Sequence, residues 1–193
     1  MRLFMVILLS LLAACNSNSQ TTRELDMYNV SGDMVGTAVY TEQPEGVQIE
    51  IKVEGLTPGF HGVHIHEYAK CEGPDFKSAG NHLNPEGKEH GLMHPEGAHL
   101  GDLQNIEADS AGMVDVELTA ADATLLSGKK SLLPKEGSSL IIDEDPDDGL
   151  SQPSGNSGTR IICGELKKDE EESSLETPTD PTETDIKNKE ESE

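Results

Sequence analysis

The chain has 193 residues, enough for one domain with a proper core. Aromatic residues make up only 3% and tryptophan is absent, so the core must rest on Val, Ile, Leu and Met; 19 Gly and 10 Pro speak for many turns and against long helices. The formal charge of −23 excludes nucleic acid as a partner, because phosphates would be repelled.

In chain order, the first segment is an export signal. Arg2 precedes an apolar run over 3–12 that is too short to span a bilayer and ends in small residues. The stretch Leu12-Ala13-Ala14-Cys15 resembles a bacterial lipobox, in which the cysteine is lipidated after cleavage. That implies a signal peptide over 1–14, then a lipid anchor on Cys15 and a polar tether to residue 22. The expected address is the cell envelope, held to the membrane through lipid.

The domain is expected over 23–165. VGTAVYT (35–41) and VQIEIKV (47–53) alternate apolar and polar residues across Pro44-Glu45-Gly46, which predicts a hairpin. A strand is expected over 62–68, then a stretch dense in Gly, Pro, His and charge over 69–103. Strands resume at MVDVELT (113–119), SSLIID (138–143) and RIIC (160–163). No helix of normal length is expected, and short strands at this spacing predict an all-β antiparallel sandwich or barrel. From Leu166 onward eleven Asp and Glu face four Lys with almost nothing apolar, which predicts an acidic, disordered tail over 166–193.

With Cys15 lipidated, Cys71 and Cys163 remain, and in an oxidising compartment they are expected to pair. On the chain-entropy model such a bridge contributes about 4 to 5 kcal/mol. A long loop without secondary structure needs something to offset its ordering entropy. A disulfide and a metal would do so.

The histidines carry the strongest signal. All seven lie between positions 61 and 99. His64 and His66 are two apart on an expected strand, so both rings leave one face about 7 Å apart, a natural ligand pair for copper or zinc. His82, His90, His94, His99 and Asp102 follow inside the long loop.

Five blocks in order, GFHGVHIHE (59–67), SAGNHLNP (78–85), His90-Gly91, HLGDL (99–103) and GNSGTRIICG (155–164), resemble the copper/zinc superoxide dismutases of bacterial lipoprotein type. The resemblance covers roughly 35–165. It implies a Greek-key antiparallel β-barrel with long metal-binding loops, copper and zinc as cofactors, and superoxide as substrate. His64, His66 and His82 would bind copper, and His82 would bridge to a zinc completed by His90, His99 and Asp102. Such a four-ligand zinc with no open position is structural. Asp147 matches the carboxylate that orients a copper and a zinc histidine, here His64 and His90. Cys71 and Cys163 match the family disulfide. Arg160 matches the guanidinium at the copper mouth that attracts a small anion; with His82 it would carry the catalysis. His61 is expected to be structural, bonding backbone near the site, and His94 to be a plain loop residue.

The resemblance breaks at one ligand. Where the family supplies a fourth copper histidine, this chain reads LIIDEDPDD (140–148) and offers Asp143. A carboxylate suits Cu(II) but holds soft Cu(I) poorly. The expectation is a lowered potential, weakly held copper and reduced dismutase activity, with the zinc half unaffected. The segment between Asp148 and Gly155 has no lysine, so Arg160 is the main positive charge at the mouth. The alternative is a non-enzymatic, zinc-stabilised envelope lipoprotein that binds copper.

Overall fold

The structure is a computed structural model that describes residues 20–168. The expected signal peptide, Cys15 and most of the acidic tail lie outside the described residues. Nine strands follow in order: β1 (Thr22–Asn29), β2 (Met34–Gln43), β3 (Gly46–Val53), β4 (Gly59–His61), β5 (Val63–His66), β6 (Ile106–Ala108), β7 (Val114–Ala121), β8 (Gly137–Asp143) and β9 (Arg160–Lys167). Among the described residues the only helical element is a single 3₁₀ turn, Lys77–Ala79.

Seven strands form one antiparallel sheet in the order β5-β8-β9-β1-β2-β3-β7, and β4 pairs with β6 alongside. The sheet curls into a half-barrel. The β2–β3 hairpin closes at Gln43↔Gly46, as the alternation predicts. Its buried positions, Ala38 and Tyr40 on β2 and Val47, Ile49, Ile51 and Val53 on β3, recur every second residue, so one face enters the core. Leu118 and Ala120 on β7, Leu140 and Ile142 on β8 and Leu25 and Met27 on β1 meet them there.

Two differences from the sequence expectation stand out. β1 forms from Thr22, the residue expected to end the tether. At the other end β9 runs on through Leu166 and Lys167, which composition gives to the tail; Leu166 is buried and pairs with Ser138. One inward-facing leucine keeps the strand in register although charge follows it.

Residues 69–103 form no strand, as expected, yet they dock tightly. Isolated bridges join His64 to Asp102 and His66 to His82. Ile65 donates to the Gly101 carbonyl (2.8 Å) and accepts from the Leu83 amide (2.8 Å). A small second core of Phe76, Ala79, Ile141 and Cys163 lies under the start of the loop, with Cys71 packed against it. The Cys71–Cys163 disulfide, Cα atoms 5.7 Å apart, ties this point to β9 across 92 residues. The Cys71 amide also donates to Glu165 Oε1 (2.8 Å). Replacing both cysteines by serine should lower the unfolding free energy by about 2 to 5 kcal/mol, read as the denaturant midpoint of the zinc-loaded chain.

Candidate metal centre

β5 delivers His64 and His66, both essentially solvent-free, and the loop folded over it delivers the other donors. His82 sits at the centre. Its ring stacks on His64 with centroids 4.0 Å apart and lies 4.9 Å from His66, 5.2 Å from His90 and 5.6 Å from His99. Two donor groups share it: His82, His90, His99 and Asp102 form one, and His64, His66 and His82 the other, each with ligand atoms within 4.8 Å of one another.

In the first group Asp102 Oδ1 lies 2.9 Å from His82 Nδ1, 3.1 Å from His90 Nδ1 and 3.2 Å from His99 Nδ1. Its other oxygen accepts from the Gly91 amide (2.8 Å) and the His99 amide (2.9 Å), which fixes the carboxylate. Burial works against the charge on Asp102, but the three imidazoles and the Gly91 amide hold its carboxyl far below the ordinary carboxylate range. His82 uses Nδ1 here, which leaves Nε2 for the second group.

Asp147 wires the groups together. Its Oδ2 lies 2.8 Å from His64 Nε2 and its Oδ1 3.2 Å from His90 Nε2. Burial raises the Asp147 carboxyl, but the hydrogen bonds from His64 and His90 outweigh this and hold it low. For His90, burial disfavours the cation, yet Asp102 and Asp147 prevail and raise it to about 9. His66 has no carboxylate partner, so burial, then the neighbouring His82, push it well below the usual imidazole value.

Asp143, at the end of β8, is buried and belongs to neither group. Its Oδ2 lies 2.8 Å from His64 Nδ1 and accepts from the Ser157 hydroxyl (3.0 Å). His64 therefore stands between two carboxylates, one on each ring nitrogen. Burial opposes protonation of this ring, but the Asp143 and Asp147 bonds overcome it and raise the His64 pKa.

Arg160 pairs with Asp143 across β8 and β9 and is half-buried. It donates to the Phe76 and Gly80 carbonyls, both at 2.9 Å. The Gly80 carbonyl also faces His66 Nδ1 (3.0 Å), so the guanidinium and the imidazole share one anchor. Burial draws the arginine's pKa down, and Asp143 and Asp75 pull it back.

His61 Nδ1 lies 2.8 Å from the Asp143 carbonyl and its Nε2 2.8 Å from the Thr57 carbonyl, the structural role expected of it. His94 accepts from the Glu96 amide and joins no donor group.

Three supporting residues escape sequence reasoning. Asn105 exchanges two hydrogen bonds with the Asp147 backbone, Gln152 exchanges two with the His90 backbone, and Ser157 holds Asp143. Asn105 and Gln152 are lone polar side chains with no spacing to mark them, and Ser157, though inside a matched block, shows no role until the fold brings Asp143 to it. Gly155, inside a matched block, has a specific reason to be glycine. Its φ is +70°, and a Cβ there would lie 1.8 Å from Asp147 Oδ1 and 2.8 Å from His90 Nε2. Gly155→Ala should displace Asp147 and weaken metal binding by about 10- to 100-fold, the usual cost of losing a ligand's outer partner, measured by chelator competition.

Do the residues fit the two metals? Three imidazoles and one carboxylate suit tetrahedral zinc. His66 Nε2 is buried with no hydrogen-bond partner, which is costly unless a ligand takes the lone pair. The second group presents three converging imidazoles, a set that copper accepts, with Asp143 touching one of them.

The model of the family described as copper/zinc superoxide dismutase matches residues 34–166. The chain is 43% identical over 161 residues to superoxide dismutase [Cu-Zn] 2 of Aquifex aeolicus, covering 82% of this chain and 94% of that protein. It is 46% identical over 145 residues to the superoxide dismutase-like protein YojM of Bacillus subtilis, covering 74% of each. Among solved structures, a double mutant of a SOD-like protein from Bacillus subtilis superposes with a TM-score of 0.74 at 46% identity, covering 75% of this chain and 97% of that one. The Cu/Zn superoxide dismutase of Brucella abortus gives 0.64 at 30% identity, covering 76% and 100%. With its half-barrel, its shared histidine, its disulfide and a family match across most of its length, this chain belongs to the copper/zinc superoxide dismutase family.

Proposed function

We propose that the protein is an exported, lipid-anchored superoxide dismutase-like metalloprotein, with turnover reduced because Asp143 stands where the family has its fourth copper histidine. The observation that carries this is the pair of donor groups sharing His82, with Asp143 at the edge of one of them. His82, His90, His99 and Asp102 hold zinc and keep the long loop ordered. Copper, when bound at His64, His66 and His82, supplies the one-electron couple that turns superoxide into O2 and H2O2.

The chain's own residues do the rest. Arg160, fixed by two carbonyls, presents positive charge where a small anion arrives, although Asp143 beside it offsets part of that charge. His82 Nε2 is the nitrogen able to hold and release a proton at the corner. Export and anchoring rest on the apolar run and Leu12-Ala13-Ala14-Cys15.

The test is superoxide decay with the chain reconstituted with copper and zinc. Turnover above buffer but well below that of a complete family member is expected; decay no faster than buffer rejects dismutation. The Asp143–His64 contact favours a second reading, a zinc-stabilised envelope lipoprotein without enzymatic turnover. One zinc with substoichiometric copper in the isolated protein supports it, and two full metals count against it.

A further inference from the structure

We propose that Asp143 makes the corner of His64, His66 and His82 selective for divalent ions, so that under reducing conditions copper leaves it and a second zinc takes its place. This rests on the reading of Asp143 given above and adds the identity of the occupant.

The donor types support it first. Three imidazoles and one aspartate are the set already present at the neighbouring group, where Asp102 contacts its histidines at 2.9 to 3.2 Å. Asp143 meets His64 Nδ1 at a similar 2.8 Å. Like Asp102, it is seated rather than loose. The Ser157 hydroxyl, itself buried, points at Oδ2. Behind it the backbone leaves no slack: a Cβ on Gly62 would lie 3.1 Å from Ser157 Cβ, 3.2 Å from His64 Cε1 and 3.4 Å from Asp143 Oδ2. The carboxylate is thus held against His64 Nδ1, the ring nitrogen that Asp147 does not take.

Charge supports it second. Asp143 and Asp147 both lean on His64 in a buried setting, and a 2+ ion offsets two carboxylates better than a 1+ ion does. Softness agrees, since Cu(I) gains little from a carboxylate oxygen. The third support is independent of Asp143. His66 Nε2 is buried and unpartnered, so this corner calls for an occupant of some kind. Cu(II) outranks Zn2+ for nitrogen and oxygen donors, so the exchange needs a reductant: each Cu(II) accepts one electron, departs as Cu(I), and one Zn2+ enters.

The full chain, loaded with one zinc and one Cu(II), is treated anaerobically with ascorbate and excess zinc sulfate, and metal content is read by native mass spectrometry. Two zincs and no copper per chain are expected. Asp143→His should keep its copper under the same treatment, and Ser157→Ala, which leaves the donors in place, should take up the second zinc more weakly. Copper retained by the unmodified chain, or zinc remaining at one per chain after copper has gone, overturns the proposal. Dismutase turnover separates the two failures. A rate equal to that of a complete family member refutes the incomplete-corner reading itself, whereas a low rate with only one zinc refutes this inference alone.

Discussion

Replacing Asp143 by histidine is expected to raise Cu(I) retention by more than about 100-fold, since even an outer partner of a ligand is worth about 10- to 100-fold in metal affinity. Dismutase turnover should rise with it. Asp143 ends β8 beside Arg160, with its carboxylate already against His64. A histidine at that position gives copper a nitrogen donor that suits both oxidation states. It also removes a carboxylate from beside the one guanidinium that serves an incoming anion. Chelator competition for Cu(I) and superoxide decay check the two halves separately. No change in either would mean that Asp143 does not face the copper corner.

Removing zinc should produce the largest change in stability. Zinc at His82, His90, His99 and Asp102 would tie together residues 82–102, which otherwise meet β5 through the backbone bonds of Ile65 and the 149–152 segment through Met93 and Gln152. A site with zinc in thousandfold excess over its dissociation constant contributes about 4 kcal/mol. At about 2 to 4 °C per kcal/mol for a domain of this size, stripping it should lower Tm by about 8 to 16 °C. Limited proteolysis should then cut within residues 82–102 first. The segment around Cys71 should resist longer, because the disulfide and the Phe76 core remain. A Tm unmoved by a strong chelator would show that zinc does not hold the loop.

Much of the centre was legible because its chemistry is concentrated. Seven histidines within 61–99 and an aspartate three residues after His99 leave few other readings, and every residue expected at the zinc falls in one donor group. The hairpin was legible because Val47, Ile49, Ile51 and Val53 repeat at the period of a strand. β1 was not, because TRELDMYN carries only Leu25 and Met27 as buried residues among charges. β6, with three residues, is too short for any period to show. Asn105 and Gln152 act through paired hydrogen bonds, and Ser157 through one, to residues distant in sequence that only the folded chain brings near.

Crystals of the full chain grown with both metals, with anomalous diffraction recorded at the zinc and copper edges, test the centre most directly. The account predicts full zinc at His82, His90, His99 and Asp102. At His64, His66 and His82 it predicts weaker copper or a second zinc, with Asp143 the further donor among the described residues. An empty pocket beside Asp102, or another side chain closing the corner in place of Asp143, would contradict it.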